Sequence, residues 1–509
     1  MSEKIYVTTP IYYVNDKPHI GHAYTSVATD FLARYHRIIG NDVRFQTGTD
    51  EHGLKIQKAA EKEKVKPIDL CDKNSAKFRE LSTILNISNN DFIRTTEDRH
   101  IKGAQFLWNK LYENDQIYLD EYTGWYSVSD ETFYNEKDLI KDERGNFKTI
   151  TGGNVEWISE KSYFFRLSNW SEKLLEYYEN NPDFILPSSK RKEVISFVKS
   201  GLKDLSVSRT SFNWGIKTPN DKDHIMYVWL DALTCYPNGV NYLSNEDRSN
   251  SDYWDNTTHI VGKDILRHHA VYWPAFLMAA NLKLPKRIFA HGWWTNEGNK
   301  ISKSLGNAID PLEVISKYGL DQFRYFMLRE VPFGNDGDFS IKALEGRINS
   351  DLANDLGNLC QRSLSMVNKH LNNEIKCVPL EKNDLKTLQF AIELNKKLTD
   401  IVMYQNITEY IKTVWELINI SNKFFNENEP WKIVKSDIKQ FNKILFITAE
   451  LIKIIAIYTY PIMPSTSEKI FNFLNLDKNN INSNNLKIEE KNDYKLNSIE
   501  PLFPRINQK

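Results

Sequence analysis

Cysteine is scarce in this chain: there are four in 509 residues, Cys71, Cys235, Cys360 and Cys377. None has C-x-x-C spacing, so neither a disulfide framework nor a thiolate zinc site is indicated. Net charge is nearly absent as well, at −1. A polyanion would therefore have to be held by local patches rather than by the field of the whole molecule. No apolar run reaches the roughly 18 residues that cross a membrane. The opening MSEKIYVTTP has neither the apolar core of a secretory signal nor an Arg-rich amphipathic presequence. Internal repeats are missing. What remains is 41% hydrophobic and 26% charged, the composition of a soluble globular protein of about two to four domains. A reducing cytoplasm is the expected compartment.

Strand and helix signals alternate at the start. KIYVTT, residues 4–9, is β-branched and apolar and reads as a strand. After Pro10 and the turn-like NDKP, Ala23, Val27, Phe31 and Tyr35 recur at helical spacing up to Gly40. DVRFQTGTD is a second strand, followed by the helical GLKIQKAAEKEK. Strand–helix–strand is the opening of a parallel nucleotide-binding sheet. From 116 to 225 short aromatic strands and glycine turns (Gly145, Gly152, Gly153) mark an insertion. HIMYVWLDAL, THIVGKDIL and KRIFAHGWWT then resume the alternation. Beyond 351 long amphipathic runs with few glycines predict a helical bundle with its own core.

Two short motifs carry chemistry. The first is His19-Ile20-Gly21-His22, between the first strand and its helix. Backbone N–H groups and the positive helix end converge there, which suits a phosphate chain. Gly21 would leave room for a flat base. A plain polar helix start and a metal site remain open readings, the latter without a nearby third ligand. The second motif is GNKISKSLGN, residues 298–307, in which Lys300 and Lys303 flank serines. Two mobile ammonium groups suit charge developing on a leaving pyrophosphate, although a loop of lysine and serine is also what a solvated surface looks like.

HIGH at the end of the first strand and KISKS beyond an insertion resemble the paired signatures of the class I aminoacyl-tRNA synthetases. KISKS differs from the common KMSKS at one apolar position and keeps its charges and hydroxyls. With TTPIYYVNDKPHIGHAY and TGTDEHG, the chain is similar to the methionine-specific branch of that family over nearly its whole length. The resemblance implies an α/β Rossmann-type parallel-sheet catalytic domain with an inserted connective domain and a C-terminal all-α helical bundle. Its expected boundaries are 1–115 and 226–305 for the two halves of the catalytic domain and 116–225 for the insertion. A stem-contact region follows at 306–350, and the anticodon-binding bundle at 351–509.

It further implies activation of L-methionine by ATP to methionyl-adenylate with release of pyrophosphate. Transfer to the 3′-terminal adenosine of tRNA(Met) follows, for initiation and elongation. Methionine would be held by Ile11, Tyr13, Asp50, Trp229, Ala232, Tyr236, Ile265, His269 and Trp273. Asp50 would pair with the ammonium, and the aromatic rings would surround the thioether, a contact worth roughly 0.3–1.5 kcal/mol. ATP would meet His19, Gly21, His22, Gly262, Lys263, Asp264, Lys300, Ser302 and Lys303. His19, His22, Lys300 and Lys303 would be catalytic, with Lys303 given the largest kinetic role. Asn354 and Trp431, with Asn358 as a third, would read the anticodon by amide hydrogen bonds and stacking. ATP would bring Mg2+ as counter-ion. No DNA or membrane partner is expected, and the chain's end soon after the bundle suggests a monomer.

One departure matters. Many relatives carry cysteine knuckles in the insertion, but here Ser127 and Asp130 stand where thiolates could, and no cysteine lies between Cys71 and Cys235. No structural zinc is expected, and apolar packing must hold the knuckle. Enzymes for isoleucine, valine and leucine need a large editing insertion, because a pocket separates one methylene only about 10–200-fold, and the stretch 116–225 is too short. The cysteinyl enzyme needs zinc ligands that are missing. A catalytically dead tRNA-binding paralogue should have eroded motifs, whereas both stand intact. A small HxGH nucleotidyltransferase would leave the bundle without a purpose.

Overall fold

The computed structural model describes residues 2–506 except 16, 128–131, 135, 143, 151, 245–246, 297–298, 301–308 and 490. The chain divides into two compact units. One comprises Lys4–Pro18 and Arg44–Ala290; the other comprises Met1–Glu3, His19–Val43 and His291–Lys509.

The first unit is built on a six-stranded sheet. Strand β1 (Lys4–Tyr13), strand β2 (Asp42–Asp50) and strand β3 (Asp91–Arg94) lie in the order β3–β2–β1, followed by Thr257–Gly262, Arg287–His291 and Ile185–Leu186. Paired strands run parallel: Tyr6 to Thr8 face Thr257 to His259, and Gln46 to Thr49 face Asp91 to Arg94. The central strands are buried over most of their length, as a parallel sheet covered on both faces requires. β1 is longer than its β-branched run suggested, continuing through Pro10 to Tyr13. Its ladder to Thr257–Gly262 stops at Thr8, so the missing N–H of Pro10 costs no bond there. Where β1 separates β2 from Thr257–Gly262 the chain order switches. The carboxyl ends at that switch are Ile11–Tyr13, Asp50 and Gly262, the place where open α/β sheets bind ligands.

Most of the insertion is antiparallel. Ile117–Ser127 pairs with Val155–Phe165 from Ile117↔Phe165 to Ser127↔Val155. Ile185–Leu186, within the same stretch of sequence, instead joins the edge of the main sheet beside Arg287–His291. Near the hairpin's far end Trp125 packs on Phe147 (ring centroids 4.7 Å apart) and edge-on to Trp157 (5.2 Å). Ser127 is buried beside them, and Asp130 lies outside the described residues. Among the described residues no cluster of three or more His, Cys, Asp or Glu could hold a metal.

The second unit is mainly helical. Helix α1 (Ile20–Ile38) is buried almost all round, not only along its Ala23–Val27–Phe31–Tyr35 stripe. Phe31 and Tyr35 pack against Tyr410 of helix Ile407–Glu427. Helix Ile438–Thr459 has apolar residues on every face and fills the centre of the bundle. No described helix is long and apolar enough to cross a membrane.

The burial of α1 encloses charge. Asp30 Oδ2 accepts from Arg34 Nε and from a guanidinium nitrogen of Arg324, each at 2.7 Å. Arg324 Nε also donates to the carbonyl of Ile462 at 2.9 Å. Paired and hydrogen-bonded, these charges are tolerable; leaving one alone is not. Asp30→Ala is expected to cost about 3–5 kcal/mol, read as a lowered urea midpoint of the helical unit by far-UV circular dichroism.

Candidate functional site

His19 and His22 begin α1 by an exchange of caps. His19 Nδ1 accepts from the N–H of Gly21, and His22 Nδ1 accepts from the N–H of His19, both at 3.1 Å. The arrangement is a capping box with imidazoles in place of the usual hydroxyl and carboxylate. The rings lie close, with centroids 3.9 Å apart. An Nδ1 that accepts leaves the proton of a neutral ring on Nε2. The Nε2 edge of each ring is therefore a donor, the polarity that a phosphate oxygen needs. Gly21 has a local reason: a Cβ there would lie 3.0 Å from the His19 ring. Helix start and phosphate cradle are thus compatible uses of the same four residues.

Beyond the strand Arg287–His291, Trp294–Asn296 pairs antiparallel with Asn299–Lys300 and parallel with Gly337–Phe339. The backbone of Lys300 is fixed on that small sheet. Ser302 and Lys303 lie outside the described residues.

In the sheet unit, Tyr236, Ile265, His269 and Trp273 come together. His269 Nδ1 lies 2.9 Å from the carbonyl of Ile265, which can only accept, so Nδ1 carries the proton. Nε2 must then accept, and it takes the hydroxyl proton of Tyr236 at 2.6 Å. Burial lowers the pKa of His269 to about 4, opposed by the Ile265 hydrogen bond and the Asp264 charge, so the ring is neutral at pH 7. Burial holds the Tyr236 phenol well above its usual range. The hydroxyl hydrogen is committed to His269, and its oxygen keeps a lone pair. Trp273 is fully buried, and its indole N–H has no partner among the described residues. Trp229 stacks on His268 at 3.7 Å with the planes 14° apart, and stands edge-on to His269 at 6.1 Å.

Ile11 and Tyr13 pack on the same apolar core, where Lys55 Nζ lies 5.5 Å over the Tyr13 ring. Asp50, 8% exposed, ends β2, and its carbonyl accepts from Val14 N–H at 3.2 Å. Ala232 is buried on the short helix that carries Trp229. Gly262, which ends strand Thr257–Gly262, and Lys263 after it are half-buried, and Asp264 is exposed. The histidines behind this wall were not expected from the sequence. His259 is buried beside the Tyr236 ring at 4.1 Å, with Nδ1 on Thr8 Oγ1 at 2.8 Å.

In the bundle, Trp431 is 41% exposed at the start of a helix that follows Glu429, whose φ of 42° turns the chain. The Arg362 guanidinium lies 5.2 Å over its ring and donates to Asn426 Oδ1 at 2.9 Å. Arg362 was missed in the sequence. It sits one helical turn after Asn358, so both face the same way. Asn354 is exposed one turn earlier, and its Oδ1 accepts from Arg505 at 2.6 Å.

The buried imidazoles make the unit acid-sensitive. His259 and His269 are neutral when folded, because burial lowers both pKa values, and each takes up a proton on unfolding below its ordinary value of about 6.5. Stability is full above pH 6.5 and declines as pH falls toward 4, because the unfolded chain binds more protons. His259→Gln should flatten the slope of urea-unfolding free energy against pH between 6 and 4 by about one proton.

Residues 5–143 and 138–364 match a family described as tRNA synthetases class I (M), and residues 376–507 match the anticodon binding domain of methionyl tRNA ligase. The chain is 52% identical over 488 residues to the methionine–tRNA ligase of Rickettsia conorii, covering 94% of each protein. It is 47% identical over 514 residues to that of Rickettsia bellii, covering all of both. The Mycobacterium tuberculosis methionyl-tRNA synthetase in complex with methionyl-adenylate superposes with a TM-score of 0.95 at 44% identity, covering 99% of this chain and 100% of that one. The chain belongs to the methionyl-tRNA synthetases, class I enzymes that ligate methionine to tRNA.

Proposed function

We propose that the residues gathered in the sheet unit bind methionine, with Asp50 holding the ammonium and Tyr236, His269, Trp229 and Trp273 enclosing the side chain. The hydrogen bond from Tyr236 to His269 carries this assignment. It fixes an uncharged wall with no free hydroxyl proton, suited to a thioether and costly for a charged side chain. Ile11, Tyr13, Ala232 and Ile265 complete the apolar lining.

ATP, with Mg2+ as its counter-ion, meets the Nε2 donors of His19 and His22 through its phosphates. Gly21 allows close approach, and Gly262, Lys263 and Asp264 serve the ribose and base. Lys300, Ser302 and Lys303 close on the leaving pyrophosphate. The methionine carboxylate attacks the α-phosphorus and the bond to the β-phosphate oxygen breaks. Methionyl-adenylate remains, and a terminal hydroxyl of the tRNA then attacks its carbonyl, releasing AMP. No protein nucleophile is needed. Positioning and stabilisation of charge at the pentacoordinate phosphorus supply the rate. Trp431 stacks an anticodon base, with Asn354, Asn358 and Arg362 supplying polar contacts.

Pyrophosphate exchange into ATP, run with each of the twenty amino acids and no tRNA, should respond to methionine alone. Asp50→Ala should lower that exchange roughly 10- to 100-fold, the value of a charge-assisted contact, and near-normal exchange would remove Asp50 from the pocket. Trp431→Ala should weaken tRNA charging by about 1–3 kcal/mol in kcat/KM for tRNA, the value of one stacked base, and leave methionine exchange intact. Equal losses in both assays would contradict that division.

A further inference from the structure

Behind the assigned methionine residues lies a buried carboxylate that the reaction does not use. Asp231 stands in the apolar run VWLDAL, between Trp229 and Ala232, and is 0% exposed. His52 Nδ1 lies 2.6 Å from its Oδ2, and His100 Nε2 lies 2.6 Å from its Oδ1. A carboxylate only accepts, so both rings donate. The Asn238 side-chain amide approaches His100 Nδ1 at 3.4 Å and donates to the His100 carbonyl at 3.3 Å, bracing that ring from behind. Burial alone would raise the Asp231 pKa, but the His52 charge and the two hydrogen bonds outweigh it and hold it at about 2.

The three residues come from separate parts of the unit. His52 follows Asp50 by two residues, at the end of β2. His100 is in the first turn of helix Asp98–Glu113. Asp231 is in the six-residue helix Val228–Leu233, which has no side-chain cap of its own. Between Asp50 and His52, Glu51 is gripped by Arg94 at 2.7 and 2.9 Å and by Thr96 at 2.6 Å. The turn after β2 is thus rigid, and the short helix is tied to it through one carboxylate.

We propose that Asp231, with His52 and His100, is a positioning clamp that sets the separation between the Asp50 carboxylate and the Trp229–Ala232 wall, and so governs affinity for methionine. The proposal rests on Asp50 and Trp229 belonging to the methionine site. In Asp231→Asn an amide N–H would face one of the two imidazoles, so that ring must either give up the bond or move its proton to its other nitrogen, and the carboxylate's charge is lost to both rings. Asparagine at 52 presents an N–H where Nδ1 stood, and glutamine at 100 presents one where Nε2 stood. These replacements keep the donor, while alanine removes it.

The test is pyrophosphate exchange with methionine and ATP varied in turn. Asp231→Asn, His52→Ala and His100→Ala are each expected to raise KM for methionine roughly 10- to 100-fold, leave KM for ATP unchanged and lower kcat by a smaller factor. His52→Asn and His100→Gln should recover most of the methionine affinity. A parental methionine KM in Asp231→Asn, a matching rise in both KM values, or no rescue by the donor-keeping variants would overturn the clamp. If Asp231→Asn fails to fold, the His52→Ala and His52→Asn pair decides. Asp50→Ala in the same assay separates the two ideas. A parental methionine KM there would dismiss the pocket itself, whereas a raised one beside a parental Asp231→Asn would dismiss only the clamp.

Discussion

The chemistry of the molecule depends on where imidazole protons sit, and fixed partners decide that. A carbonyl oxygen holds the proton of His269 on Nδ1. Two amide N–H groups at the start of α1 hold the protons of His19 and His22 away from Nδ1. A carboxylate draws one N–H each from His52 and His100. Each ring therefore presents one defined edge, donor or acceptor, without rearrangement when a ligand arrives. Fixed polarity of this kind is what electrostatic preorganisation requires. Burial keeps His259 and His269 neutral in the same way, although histidine could change charge near neutral pH.

Much of the fold could be read from periodicity. The run KIYVTT, the helical stripe from Ala23 to Tyr35 and the run DVRFQTGTD each became the element that was expected of them. What escaped was non-local. Ile185–Leu186 has no pattern of its own and becomes a strand only because Arg287–His291 offers an edge. Asp30 and Arg34 lie off the apolar stripe that the spacing picks out on α1. They are buried because Arg324, far along the chain, supplies the balancing charge.

The site was legible in part and for mixed reasons. Resemblance supplied Tyr236, His269 and Trp273, which the fold does gather. Asp231 carried a usable signal, a lone acid inside an apolar run, but no local cue pointed to its two imidazole partners. Arg362 could not be found from its own helix, since the ring that identifies it sits beyond the next two helices. Both candidate sites also contain a π-helical segment, His268–Tyr272 and Ile348–Gly357. The wider turn shifts the phase of the residues that follow, so counting by 3.6 assigns the wrong faces.

The exchange of caps at His19 and His22 has an evolutionary corollary. Each ring serves the backbone through Nδ1. At the N-cap, asparagine imitates the capping atom of His19, because its short amide oxygen also accepts from a helix N–H. A single nucleotide change converts a histidine codon to asparagine. Such a mutant would keep its helix start and lose the outer donor, so it would persist as a well-folded protein. If the proposed contact with ATP holds, drift at these two positions is opposed by that contact more than by folding.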